Sequence, residues 1–342
     1  MHSIALMRRA SFLFCLSILV AGVSGAQTYS ITDLGTLGGD LSEANDIGSL
    51  GQVVGVSKSA DGTYHAFLYS GRAMHDLGTF GGSQSTAQAI NASSQIAGYY
   101  YENGYKAFLW SNGVETDLGN LGSNFAVAWA LNARGEVVGD SKTAKFESHA
   151  FLYSNGVMRD LGTLGGEEST ARAINSSGQI TGYAYSATRD FLAFLWQNGT
   201  MTSLGTLGGD WSKGFAINDA GQIVGQAYLT GNSKAHAFLW SGGRMVDIEG
   251  LGSTISAALA LNSTGTEIVG YCADRAFLYS NGKTKDLNAL IAPGSGWQLI
   301  AATGVDDTGE IVGYGYLRGE EHAFLLTPGG APPSSGRRRS TR

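Results

Sequence analysis

The triplet Ala-Phe-Leu returns seven times along this chain, with its alanine at Ala66, Ala107, Ala150, Ala193, Ala237, Ala276 and Ala323. Successive copies are 41, 43, 43, 44, 39 and 47 residues apart. Such a period constrains the fold strongly, because each unit must bury its apolar face against its neighbours. Four strands of about 5 to 6 residues with four connections of about 5 come to roughly 42, the size of one propeller blade. In one clear copy the strands read Ser169 to Ile174, Gln179 to Tyr185, Leu192 to Trp196 and Met201 to Leu204. All are short, rich in β-branched or aromatic residues, and bounded by turn residues. The first joint, Asn175-Ser176-Ser177-Gly178, recurs as Asn132-Ala133-Arg134-Gly135 and Asn218-Asp219-Ala220-Gly221, with the Asn and Gly of a type I turn. The outer joint is Asn112-Gly113, Asn155-Gly156, Asn198-Gly199 or Asn281-Gly282, a tight hairpin. The 51 glycines and the period-two strands argue against helical repeats. A parallel solenoid has shorter coils and needs caps at both ends.

The phase of the repeat goes further. Tyr29-Ser30-Ile31-Thr32-Asp33-Leu34-Gly35 matches the fourth strand of a repeat, as in Met158-Arg159-Asp160-Leu161-Gly162. The last repeat stops after its third strand at Ala323-Phe324-Leu325-Leu326, then runs into Thr327-Pro328-Gly329-Gly330. An orphan outer strand at one end and a missing one at the other are complementary. The sequence therefore predicts an all-β, seven-bladed propeller over residues 27–328, closed by its N-terminal strand.

Arg8 and Arg9, the apolar stretch Ala10 to Val23 and Ser24-Gly25-Ala26 read as a secretory signal over residues 1–26. The uncharged run of 14 residues falls short of the roughly 20 that span a bilayer. Cys15 lacks a lipoprotein context, and without the leader Cys272 is the only cysteine, so no internal disulfide is expected. The expected state is a secreted or periplasmic monomer with no transmembrane anchor and a disordered tail over residues 329–342. Six of the 22 basic residues lie in leader and tail, which leaves 16 against 28 acidic ones, a body near −12. Such a body repels phosphate backbones, and nucleic acid is excluded as an expected partner.

The repeat resembles the HAF-repeat family of bacterial extracellular proteins. His65-Ala66-Phe67, His149-Ala150-Phe151, His236-Ala237-Phe238 and His322-Ala323-Phe324 carry the name, and Asp160-Leu161-Gly162-Thr163-Leu164-Gly165-Gly166 and Ala173-Ile174-Asn175 belong to the same pattern. The resemblance covers residues 30 to 326 and implies export and a repeat scaffold, with no catalytic residues. The Pro-rich segment Ala331-Pro332-Pro333 leads straight to Arg337-Arg338-Arg339 without the apolar helix of a sorting signal. Free secretion is expected rather than anchoring.

Recurring polar residues read as structural. The histidine before Ala-Phe is replaced by Lys106, Leu192 and Arg275 in other copies, which no metal-ligand set would tolerate. Asp33, Asp76, Asp117, Asp160, Asp247 and Asp286 recur with Ser203 in the fifth copy and read as turn caps; the surrounding run lacks the dense oxygen ligands of a calcium loop. No metal or other cofactor is expected, and nucleophile elbow, phosphate loop and dinucleotide fingerprint are missing from the sequence.

What recurs builds the fold, so a ligand site must come from what does not. The connections from each fourth strand into the next first strand carry singular residues: Asp210, Trp211, Lys213, Trp129, Glu167, Glu168, Arg172 and Trp297, with Asp40, Glu43 and Phe125 beside them. Trp211 with Asp210 and Lys213 has the makings of a sugar platform. The reading favoured by the sequence is a non-catalytic extracellular binding scaffold for polysaccharide or a cell-surface protein, with its site at one channel mouth. The alternative is a propeller glycoside hydrolase or lyase, which requires two carboxyl groups at that mouth. A third reading, an envelope protein whose Arg-rich tail touches anionic surfaces, rests on the last residues alone.

Overall fold

A computed structural model describes residues 28–329. The expected leader and all but the first residue of the expected tail lie outside the described residues. Within them, one 3-10 turn, Leu287–Ala289, interrupts an otherwise all-β chain, and no described helix is long and apolar enough to cross a membrane. The strands form successive antiparallel sets of four. The clear copy has Gly165–Ile174, Ile180–Ser186, Phe191–Gln197 and Thr200–Gly205, each paired with the next. The first strands of the sets are Gly38–Ile47, Ser85–Ile90, Gly122–Leu131, Gly165–Ile174, Gly208–Ile217, Ser256–Leu261 and Trp297–Val305. Each lies against the next, and Trp297–Val305 also lies against Gly38–Ile47, where Thr303 Oγ1 donates to the Ala44 carbonyl at 2.7 Å. We call them the inner strands. The turns match expectation: Asn155 and Gly156 both have positive φ, at 53° and 81°, as a type I′ hairpin requires.

The N-terminal strand Thr28–Asp33 runs antiparallel to the last strand, from Thr28 opposite Gly329 to Asp33 opposite Phe324. The last strand is longer than the sequence suggests, Glu320–Gly329, because Thr327, Pro328 and Gly329 face Ser30, Tyr29 and Thr28. Pro328 has no amide hydrogen to give, which is tolerable near the end of a ladder. Leu34 then donates its N–H to the Ala323 carbonyl (3.1 Å), as Leu161 does to Ala150 (2.9 Å) within one set.

The repeated triplet makes the core. All seven phenylalanines, Phe67, Phe108, Phe151, Phe194, Phe238, Phe277 and Phe324, are fully buried, as are the alanines before them. The ring of each fills its own sheet's face against the neighbouring set, so the packing is tight enough to dictate glycine on the second strand. A Cβ on Gly139 would sit 1.9 Å from the Val127 carbonyl oxygen and 2.8 Å from the Phe151 ring. Val127 comes that close because its strand is bulged at the next residues: Ala128 faces Gly139 and Ala130 faces Val138, with Trp129 left over.

Two polar devices join the sets, and a third ties the outer two strands within a set. Ser169 Oγ donates to the Gly162 carbonyl (2.6 Å) and accepts from Ala150 N–H (2.8 Å), tying an inner strand to the preceding set. Asn91 Nδ2 donates to the Asn132 carbonyl (3.0 Å), Asn132 to Asn175 (3.2 Å) and Asn175 to Asn218 (3.0 Å), so each turn asparagine also reaches the next turn. Asn91 and Asn175, which fit a glycosylation sequon, are thereby buried. Finally, the recurring histidine and aspartate are partners: His65 Nδ1 lies 2.9 Å from Asp76, His149 Nδ1 2.8 Å from Asp160, and His322 Nδ1 2.9 Å from Asp33 across the chain ends. Arg275 and Lys106 stand in for histidine against Asp286 (3.3 Å) and Asp117 (3.9 Å).

Candidate functional site

A β-bulge leaves one residue without a partner and re-aims its side chain. Every inner strand carries one at the same place, and the unpaired residue is Asn45, Gln88, Trp129, Arg172, Phe215, Leu259 or Thr303. All seven line one cavity of 310 Å³, joined by Asp46 and small neighbours such as Ala89, Ala130 and Gly304. The flanking residues recur because bulge packing demands small side chains; the bulged residue does not recur.

Arg172 dominates the cavity. Its guanidinium carbon lies 3.9 Å from the Trp129 ring centre and 5.9 Å from that of Phe215. Trp129 is fixed in turn: its Nε1 donates to Asp140 Oδ1 at 2.7 Å, and Ser148 Oγ donates to Asp140 Oδ2 at 2.9 Å. No described carboxylate lies within ion-pair distance of Arg172, and its Nε is buried without a partner. Burial holds the guanidinium pKa below its ordinary value and pushes the Asp140 carboxyl up, the latter against the hydrogen bonds from Trp129 and Ser148. Lys213, on the adjacent inner strand, also has no ion pair. Its Nζ lies 4.8, 5.1 and 5.0 Å from the ring centres of Tyr183, Phe191 and Trp211, and burial followed by the nearby Arg172 charge lowers its pKa.

The acidic residues stand elsewhere. Asp46 accepts from Ile47 N–H and Ile90 N–H, both at 2.9 Å, yet burial raises its pKa to about 7. Glu43 is raised to about 7 by burial, then by a hydrogen bond and charge repulsion from Glu321. A neighbouring carboxylate disfavours ionisation of Glu43, in the same direction as burial.

Of the residues singled out in the sequence, the structure brings Trp129 to Arg172 and Lys213 to Trp211. It separates the others. Glu167, Glu168 and Arg189 line a 530 Å³ surface groove, and both glutamates are exposed. Trp297 packs edge-on against His322 and Phe324, with ring centres 6.5 and 6.0 Å apart. Asp210 is exposed, while Trp211 is partly buried between Phe191 (6.2 Å, stacked) and Tyr228 (5.3 Å), with Lys213 beside it. One expectation needs correction: none of these residues lies in a connecting loop, Trp297 included. Glu167, Glu168 and Arg172, Asp210, Trp211 and Lys213, and Trp129 all belong to inner strands, which begin at Gly165, Gly208 and Gly122 because their first residues find partners on adjacent strands. Phe215, Asp46, Gln88 and Asp140 escaped sequence reading. The signal was the recurrent small residue on either side of one variable position, Ala128-Trp129-Ala130 and Ala171-Arg172-Ala173 among them.

No family model matches the chain, and no curated protein does. Solved structures do. The β-propeller domain of the Trilobed protease from Pyrococcus furiosus, described as an open velcro, aligns over 90% of this chain and 99% of its own at 10% identity, TM-score 0.51. YCF48 bound to D1 peptide aligns over 89% and 97% at 12% identity, TM-score 0.53. A puromycin-hydrolyzing peptidase of Mycobacterium tuberculosis aligns over 88% of this chain, TM-score 0.55 and 12% identity, but this chain spans only 56% of it. The fold is that of a β-propeller. Likeness at this identity carries the architecture and nothing of the chemistry.

Proposed function

We propose that the chain is a non-catalytic, exported binding scaffold: seven four-stranded blades in a ring closed by the N-terminal strand, with carbohydrate bound in the cavity between the inner strands. The pairing of Thr28–Asp33 with Glu320–Gly329 and the contact of Trp297–Val305 with Gly38–Ile47 support the ring. The observation that carries the binding reading is the column of bulged residues. A repeat protein that keeps Phe, Gly and Ala in every unit has diversified a position that lines a shared cavity in all seven.

The hydrolase reading has one observation in its favour, the Glu43 carboxyl, raised to about 7 beside Glu321. Glycosidase carboxyls stand about 5 to 9.5 Å apart so that a sugar or a water fits between them. Neither Glu43 nor Glu321 lines the cavity between the inner strands, which favours binding without turnover there.

A glycan array probed with the mature chain tests the proposal. Binding should disappear on Trp129→Ala and persist on Trp211→Ala. The reverse pattern would move the site to the Trp211 surface, and no binding to any glycan would remove the carbohydrate reading.

A further inference from the structure

The charge in the cavity is unspent, and it has a sign. Asp46 already receives a backbone N–H on each carboxylate oxygen. Arg172 receives nothing of the kind: it donates no hydrogen bond to any described residue, and its Nε is buried without a partner. Its fork is thus without a protein partner, on a residue that lines the cavity. A guanidinium fork is planar and matches a carboxylate with two parallel hydrogen bonds. The fork is also held in place before any ligand arrives, since Ser148 fixes Asp140, Asp140 fixes the Trp129 indole, and the indole face carries Arg172. An unpaired cation in a half-enclosed site is costly to keep, and a bound anion would offset that cost. Lys213 adds a second positive charge nearby with no ion pair of its own. The acidic exterior makes this interior cation stand out further, because general electrostatics of the surface would not select it.

The remaining lining limits the ligand. A cavity of 310 Å³ is at the small end of ligand sites, which run from about 300 to 1,000 Å³. Asn45 Nδ2 and Thr303 Oγ1 already donate to the Ala87 and Ala44 carbonyls, which leaves the oxygens of both side chains as acceptors, while Gln88 supplies a further amide and Phe215 and Leu259 an apolar wall. We propose that the Arg172 fork takes the carboxylate of an acidic sugar, a hexuronate, whose hydroxyls face the Asn45, Gln88 and Thr303 side. This specifies the ligand class of the binding reading above and rests on it.

The test is calorimetric titration of the mature chain with glucuronate, galacturonate, a galacturonate trimer, glucose and inorganic phosphate. Charged hydrogen bonds imply that a uronate binds roughly tenfold to a hundredfold more tightly than glucose. Arg172→Met should lose that margin and still melt at or above the wild-type temperature, because it removes an uncompensated charge from an aromatic niche. Arg172→Lys should lose at least tenfold, since it keeps charge without the fork. Tight trimer with weak monomer binding would identify a polymer end as the source of the carboxylate; equal affinities would identify the free sugar. Uronate binding undiminished in both variants, glucose bound as tightly as glucuronate, or phosphate bound more tightly than either uronate would overturn the inference while leaving a binding scaffold standing. No binding of any sugar would remove both.

Discussion

Leu34 offers the sharpest test of how the chain ends are joined. It is 4% exposed and packs with Val53 and Phe67 on one side and Val312 and Ala323 on the other, so that it belongs to the first and last repeats at once. Its counterpart Leu118, also 4% exposed, occupies the same place between two repeats in mid-chain. Leucine-to-alanine changes at buried sites cost about 2 to 5 kcal/mol, depending on how far the site collapses. If the N-terminal strand is as firmly seated as an internal one, Leu34→Ala and Leu118→Ala should fall in that range and agree to within about 1 kcal/mol. A terminal strand that frays would give a Leu34→Ala penalty near zero, because local opening already exposes the site. Urea unfolding of both variants with unchanged slope measures the difference directly. A cost below about 0.5 kcal/mol for Leu34→Ala, beside a normal cost for Leu118→Ala, would refute ring closure by this strand.

Two further outcomes are expected. Replacing His149 and Asp160 by the fourth repeat's Leu and Ser should cost less than the two single changes summed, by about 0.2 to 1 kcal/mol for a partly exposed pair, and a double-mutant cycle reading zero would disprove the pairing's energetic role. Glu43 is raised from its ordinary 4.5 to about 7, so the folded state keeps a proton that the unfolded chain releases. Stability should therefore fall as pH climbs from about 4.5 through 7, with Asp46 acting in the same direction, and Glu43→Gln should flatten the melting-temperature profile between pH 4 and 8. A wild-type profile that rises over this window would contradict the assignment.

The strands and turns were legible because each rests on a local rule: Asn-Gly for the outer hairpin, Asn and Gly for the inner turn, an alternating apolar triplet between them. The partnerships among repeats were less so. Leu192 and Ser203 are each visible in the sequence as exceptions, yet they fall in the same repeat, and that coincidence is what a His–Asp contact predicts when both halves are lost together. Ser203 keeps the turn, accepting from Gly205 N–H at 3.1 Å as Asp160 does from Gly162 at 2.7 Å. The site was half legible. Trp129 and Arg172 stand out as singular residues, but alternation alone cannot tell which side of a strand a residue faces once a bulge shifts the count by one. Hence Glu167 and Trp297 were grouped with Arg172 in the sequence and lie elsewhere in space.

The bulge in each inner strand has an evolutionary corollary. Framework residues are locked by close contacts such as Gly139 against Val127, whereas the residue on the bulge crest changes in size and chemistry from set to set. Amide, indole, guanidinium, phenyl, isobutyl and hydroxyl groups all occupy that crest in one chain. A lineage built this way can rewrite the lining of its cavity one codon at a time.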